Sequence, residues 1–211
     1  MNKVDALLPD KKFLKERTEY TGIHPQKFAL WLGMASMAMF FAALTSALLV
    51  KKGDFRVWES FSLPTVFAFS TAAVVSVSVL MYLSLRSYRN AQFNTFRWLL
   101  LASFVMGLVF LVLQYMGWQK LNEMGLPITG NISGQFVYVV SAAHGLHIVA
   151  GLVVTLIFLI QAFRSRRDPI FELRNIINPK RQLNMEMLAA FWHFIDGVWV
   201  YLYIFLLLNY Q

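Results

Sequence analysis

The chain contains no cysteine in 211 residues. That excludes disulfides, thiolate metal sites and haem held through thioethers. Charge is scarce as well: 14% of the residues are Asp, Glu, Lys or Arg, while 58% are hydrophobic. A soluble domain has about a quarter of its residues charged. The composition is that of an integral membrane protein with short loops and no room for a large soluble domain. Acidic residues are the rarer sign, 11 against 19 basic, for a formal net charge of +8. In a membrane chain such an excess is tied to orientation and anionic lipid, and nucleic acid is not expected as a partner. The opening stretch Met1–Lys27 is charged and lacks a short apolar run ending in small residues, so it reads as a tail and not as a signal peptide.

What is abundant is long apolar runs. A helix needs about 20 apolar residues to cross a hydrocarbon core of about 30 Å. Five segments qualify, at about 28–50, 65–85, 96–118, 136–163 and 187–208, and the last alone holds an acid, Asp196. Strands of a barrel would be about half as long and would alternate. The expected fold is therefore an all-α membrane protein, a bundle of five transmembrane helices behind a 1–27 tail. Loop 119–134, with Gly125, Pro127, Gly130 and Gly134, and loop 164–185 are expected to be irregular connections. There is no internal repeat.

Basic residues assign the two sides. The tail, loop 86–97 and loop 164–185 hold six, three and six, which is fifteen of the nineteen; the other segments hold three, one and none. Basic residues stay inside, so the N-terminus is expected in the cytoplasm and the C-terminus outside. Trp31, Trp98 and Trp118 fall near span ends, and Trp58 in an outer loop, as in an interfacial belt. The tail 9–25 mixes Lys11, Lys12, Lys15 and Arg17 with Phe13 and Leu14, which suits either an amphipathic surface segment or a solvated start. Ala38, Ala42 and Ser46 in the first span, and Ala68, Ala72 and Ser76 in the second, recur every four positions. Such stripes let helices approach closely, either a partner subunit or, the expectation here, neighbours in this chain.

Ionisable side chains inside hydrocarbon are costly and mark function or pairing. His144 and His147 share a face of the fourth span. Glu186 and His193, seven apart, share a face of the fifth, and Asp196 follows His193 by three. At 1.5 Å per residue, His144 matches Asp196 in depth and His147 matches His193. The fourth and fifth helices are thus expected to face each other with those pairs in contact. A satisfied polar network between them is one reading, and proton relay another. A b-type haem needs two axial histidines, for which three candidates lie in the spans. A zinc or copper site would need three or four of these groups to converge. Neither is expected. No catalytic triad, phosphate loop or catalytic carboxylate pair occurs.

His144-Gly-Leu-His147-Ile and Trp192-His193-Phe-Ile-Asp196-x-Val-Trp199 resemble the two signature segments of subunit III of the haem–copper oxidases, the cytochrome c oxidase subunit 3 family. Glu186, seven residues before His193, Gly107 with Phe110, Gln114 and Trp118, and Trp31-Leu32 with Met39-Phe40-Phe41-Ala42 extend the resemblance over about 28–208. It is to the short, five-helix bacterial form, without the first two helices that make one wall of a lipid-filled cleft in long forms. Met37 stands where the family often has Glu, and Gly117 where a second acid often precedes Trp118.

The resemblance implies a non-catalytic subunit of a proton-pumping terminal oxidase in the bacterial cytoplasmic (inner) membrane, reducing oxygen to water with cytochrome c as donor; this subunit would stabilise subunit I and support proton uptake and lipid binding. Its partners would be subunit I, the other oxidase subunits and membrane lipid. Haem and copper would sit in those partners, with none in this chain apart from bound phospholipid. The resemblance further implies a polar network or lipid contacts for His144, His147, Glu186, Trp192, His193, Asp196 and Trp199. A quinol oxidase, a nitric oxide reductase accessory subunit, a small haem-binding anchor and a transporter are the other readings.

Overall fold

The computed structural model describes residues 25–53, 61–164 and 179–210. Five helices account for almost all of them: α1 (Pro25–Lys52), α2 (Val66–Arg89), α3 (Phe93–Glu123), α4 (Ile132–Arg164) and α5 (Pro179–Tyr210). Each is long and apolar enough to cross a membrane. In hydrocarbon a helix satisfies its backbone groups internally, which makes it the default for such runs. Pro25 and Pro179 stand at the first helical positions, where a missing N–H loses nothing.

The helices run 24 to 33 residues, about 36–50 Å at 1.5 Å per residue. That exceeds the hydrocarbon core, and the surplus turns carry charge: Lys51 and Lys52, Arg86 and Arg89, Lys120, Arg164. The connections are shorter than the sequence suggests. Between α3 and α4 only 124–131 is non-helical, and Gly134 lies inside α4. The expected loop 164–185 is helical from Pro179 onward: a helix longer than the hydrocarbon core carries Lys180 and Arg181 past its rim, and Met185 is already buried. At the end of α3 the chain reverses through Gly125, at φ 80°. There the Leu126 N–H donates to the Leu121 carbonyl (3.1 Å), a closure that calls for a left-handed residue.

α2, α3, α4 and α5 form a ring in which each helix packs on two neighbours. α1 lies outside the ring, against α5 and α4, and its described backbone approaches neither α2 nor α3. It buries one stripe, Met34, Phe41, Thr45 and Leu48, and leaves the rest of its surface to the bilayer. Trp31 and Trp98 are exposed, as interfacial residues would be. Trp118 is not a free belt residue: its indole N–H donates to Ser141 Oγ on α4 (2.8 Å). Trp58, positions 9–24 of the tail and loop positions 165–178 lie outside the described residues.

The two ends of the bundle are tied differently. At the end rich in basic residues, Glu186 accepts from Lys27 (3.3 Å) and Arg89 (2.9 Å), joining α1, α2 and α5. Arg97 is 6% exposed there, and its Nε donates to the Ala162 carbonyl in the last turn of α4 (2.9 Å). At the other end Lys52 Nζ reaches the Asn209 carbonyl (2.7 Å) and its Oδ1 (3.2 Å), and the Tyr210 hydroxyl donates to the Ser133 carbonyl (2.5 Å). A cation on the last carbonyls of α5 also complements the helix dipole.

Candidate functional site

The motif residues of α5 form the centre of the bundle. Trp192 and Trp199 are fully buried. The Trp192 ring lies where α3 and α4 each offer a glycine: a Cβ on Gly107 would stand 3.4 Å from Cη2, and one on Gly151 3.2 Å from Cζ2. Its N–H donates to Thr155 Oγ1 (2.9 Å), and that hydroxyl donates to the Gly151 carbonyl (2.8 Å). Trp199 repeats the arrangement on α2: its N–H donates to Thr71 Oγ1 (3.1 Å), which donates to the Phe67 carbonyl (2.8 Å). Trp118 does the same through Ser141, which donates to the Val137 carbonyl (2.5 Å). Three indoles thus cross between helices onto hydroxyls already anchored one turn back. The sequence reading missed Thr71, Ser141 and Thr155, although polar residues in apolar spans were the signal.

His144 is fully buried in a box of rings: Trp199 at 4.8 Å, Phe110 at 5.5 Å and Phe41 at 6.2 Å between centroids. Neither ring nitrogen has a hydrogen-bond partner among the described residues. Asp196 is 3% exposed, and both its oxygens are likewise unpartnered among them. α4 and α5 do pack together. The expected His144–Asp196 contact, however, is not a hydrogen bond, because the aromatic box already surrounds the imidazole.

The expected His147–His193 pairing is also replaced. His147 Nδ1 lies 2.7 Å from the carbonyl of Ala143 on its own helix, and its ring packs on Phe40 and Phe41 of α1. His193 Nδ1 lies 2.6 Å from Ser78 Oγ on α2. Helix rotation, which depth does not fix, separates them. The motif residues therefore form no single polar network. Among the described residues no three His, Asp or Glu side chains converge as a metal site would require. A haem between helices would need two imidazoles presented to one ring plane, whereas His144 is enclosed by aromatic rings.

Among the described residues, Glu186 is the motif acid with partners. Its bonds to Lys27, Arg89 and Gln182 (3.2 Å) gather the basic ends of three helices. The partners are 41% and 54% exposed, and exposed pairs contribute about 0–1 kcal/mol each. Glu186→Gln is therefore expected to lower unfolding stability by only about 1 kcal/mol, and by less in high salt. Detergent-micelle unfolding at two ionic strengths checks this, and a salt-independent loss of several kcal/mol would sink it.

The two positions where acids are missing differ in space. Met37 is half-buried on α1, packed against the core. Gly117 leaves no room: an added Cβ would meet the Phe67 ring at 2.9, 3.1 and 3.3 Å. A glutamate there would have to displace a buried aromatic.

The family described as "Cytochrome c oxidase subunit III" matches residues 26–210. Among similar proteins, "Cytochrome c oxidase subunit 3" of Bacillus subtilis is 24% identical over 206 residues, 92% of this chain and 88% of that protein. "Probable cytochrome c oxidase subunit 3" of Mycobacterium tuberculosis is 28% identical over 115 residues, 54% of this chain; the chain spans about half of that relative's length (51%). "Cytochrome bo(3) ubiquinol oxidase subunit 3" of Pseudomonas putida is 26% identical over 176 residues, 81% of this chain and 79% of that protein. With all five helices inside that match save Pro25, this multi-pass membrane chain belongs to the cytochrome c oxidase subunit III family.

Proposed function

We propose that the chain is the non-catalytic subunit III of a proton-pumping terminal oxidase that reduces oxygen to water, with cytochrome c as donor. It lies in a bacterial inner membrane, N-terminus in the cytoplasm, beside a subunit I that carries the haem and copper. Its role is to stabilise that partner and hold lipid. The observation that carries this reading is the use made of the family signature. Trp192, Trp199 and His144 are spent on internal packing, buried between helices where no substrate reaches them. Such residues build a scaffold rather than a reaction site. The orientation rests on Lys27 and Arg89 meeting at Glu186, at the end where the basic residues gather. An apolar cleft of about 580 Å³ between α1, α4 and α5, with Gln26 and Asn184 among its lining residues, suits a phospholipid chain. With Met37 and Gly117 in place of acids, any support for proton uptake falls to other residues.

A quinol donor is the second reading, favoured by the long match to the Pseudomonas putida protein. Purification of the complex in mild detergent, with an optical spectrum and mass spectrometry, tests the main claim. A haem- and copper-bearing subunit should come down with this chain, and oxygen uptake should follow reduced cytochrome c. Uptake with ubiquinol alone would shift the donor. A chain that comes down alone with its own stoichiometric haem would overturn the reading.

A further inference from the structure

A groove of about 480 Å³ runs over α5, lined by Ala38, Phe41 and Ala42 of α1 and by His193, Gly197 and Tyr201 of α5. It exists because the backbone of α1 never closes on α2, although both helices pack on α5. Ala38 and Ala42, expected to pack within this chain, are exposed here; so are Ser46, Ala68 and Ala72.

Two features of the groove are unexplained within the chain. The first is Gly197. Gly107, Gly117 and Gly151 each have a neighbour's side chain pressed where a Cβ would be, within about 2.8–3.4 Å, whereas a Cβ on Gly197, as on Gly33 of α1, would meet none of the described residues within 4 Å. A mid-helix glycine is a weaker helix former than alanine, and no neighbour among the described residues requires this one. In membranes, small residues of this kind admit a close backbone approach from another helix.

The second is His193. It stands fourteen residues into α5, about 21 Å from the helix start and near mid-membrane. Its Nδ1 is engaged with Ser78, twelve residues into the 24-residue α2. The side chain is nonetheless exposed, and its other ring nitrogen has no hydrogen-bond partner among the described residues. An imidazole facing hydrocarbon is unfavourable, and acyl chains offer it no hydrogen bond.

We infer that this groove receives a transmembrane helix of another oxidase subunit, one that places a hydrogen-bonding side chain against His193 and its backbone against Gly197. The inference rests on the subunit III reading and adds the docking face and its chemistry.

The test uses the purified complex, with photoactivatable benzoylphenylalanine in place of Tyr201, which lines the groove and is exposed, or, as control, of Ile160 on α4, which is exposed and does not line the groove. Position 201 should yield an adduct with another membrane subunit at least about fivefold over position 160. His193→Leu should reduce copurification of that same subunit by about the same factor, and His193→Gln should restore it. Gly197→Leu, which has open space to enter, should expel the partner helix while the isolated chain keeps its helix content. Adducts with lipid alone or with a second copy of this chain, or equal yields at both positions, overturn the inference and leave the subunit reading standing. A wild-type chain that brings down no other subunit overturns both.

Discussion

Trp192→Ala is expected to lower the unfolding free energy of the bundle by about 3–5 kcal/mol. The indole fills the space that Gly107 and Gly151 leave open on two other helices, so its removal empties the point where α3, α4 and α5 meet. It also strands Thr155 Oγ1 as an acceptor, though an interhelical hydrogen bond in a membrane adds only about 0.6–1 kcal/mol. Packing therefore dominates. Trp192→Phe separates the two terms: it keeps most of the ring, loses the bond, and should cost about 1–2 kcal/mol. The reciprocal change, Gly151→Leu, drives a side chain into Phe191 and Trp192 and should cost about as much as overpacking elsewhere, about 1–3 kcal/mol or more. Denaturation in micelles followed by circular dichroism measures all three. A Trp192→Ala protein within about 1 kcal/mol of the parent would show that the indole is not the packing centre.

The second expectation has the opposite sign. Asp196→Leu and His144→Met should leave the bundle at least as stable as the parent, with a gain of up to about 1–3 kcal/mol each. Both groups are buried, and neither has a hydrogen-bond partner among the described residues, so an apolar replacement removes a desolvated polar group without orphaning another. Methionine suits position 144 because it adapts to the ring box of Phe41, Phe110 and Trp199. If these residues serve the assembled oxidase, the same variants should lower its turnover or the yield of the complex. Stability and assembly would then move apart. A loss of more than about 2 kcal/mol on Asp196→Leu would mean that the carboxyl has a stabilising partner within this fold.

The helices were readable because a 20-residue apolar run has few alternatives in hydrocarbon. Their ends were less so. Residues 179–185 looked like loop because Lys180 and Arg181 broke the hydropathy, yet a helix longer than the core carries such charges past its rim. Pairing inside the bundle was the least readable. Depth follows from 1.5 Å per residue, and it set His147 level with His193. Rotation is written in the contrast between polar and apolar faces, and in lipid that contrast is faint. Hence His193 turned to Ser78, His147 to Phe40 and Phe41, and Ala38 and Ala42 faced outward. Trp192 and Trp199 were picked out from the sequence, but not the threonines that orient them.

α5, one of the two helices with three packing neighbours, is also the last of the five in chain order. During synthesis α1 would enter the membrane long before its main support, with Lys52 waiting for Asn209 and Lys27 for Glu186. α2 and α3 form a hairpin closed by their own short turn and gain their mutual contact early. α1 has no such companion. Until the ribosome delivers α4 and then α5, it is a lone apolar segment within reach of insertion factors and membrane proteases. Biogenesis of this subunit therefore hinges on how long its first span is sheltered before its last one arrives.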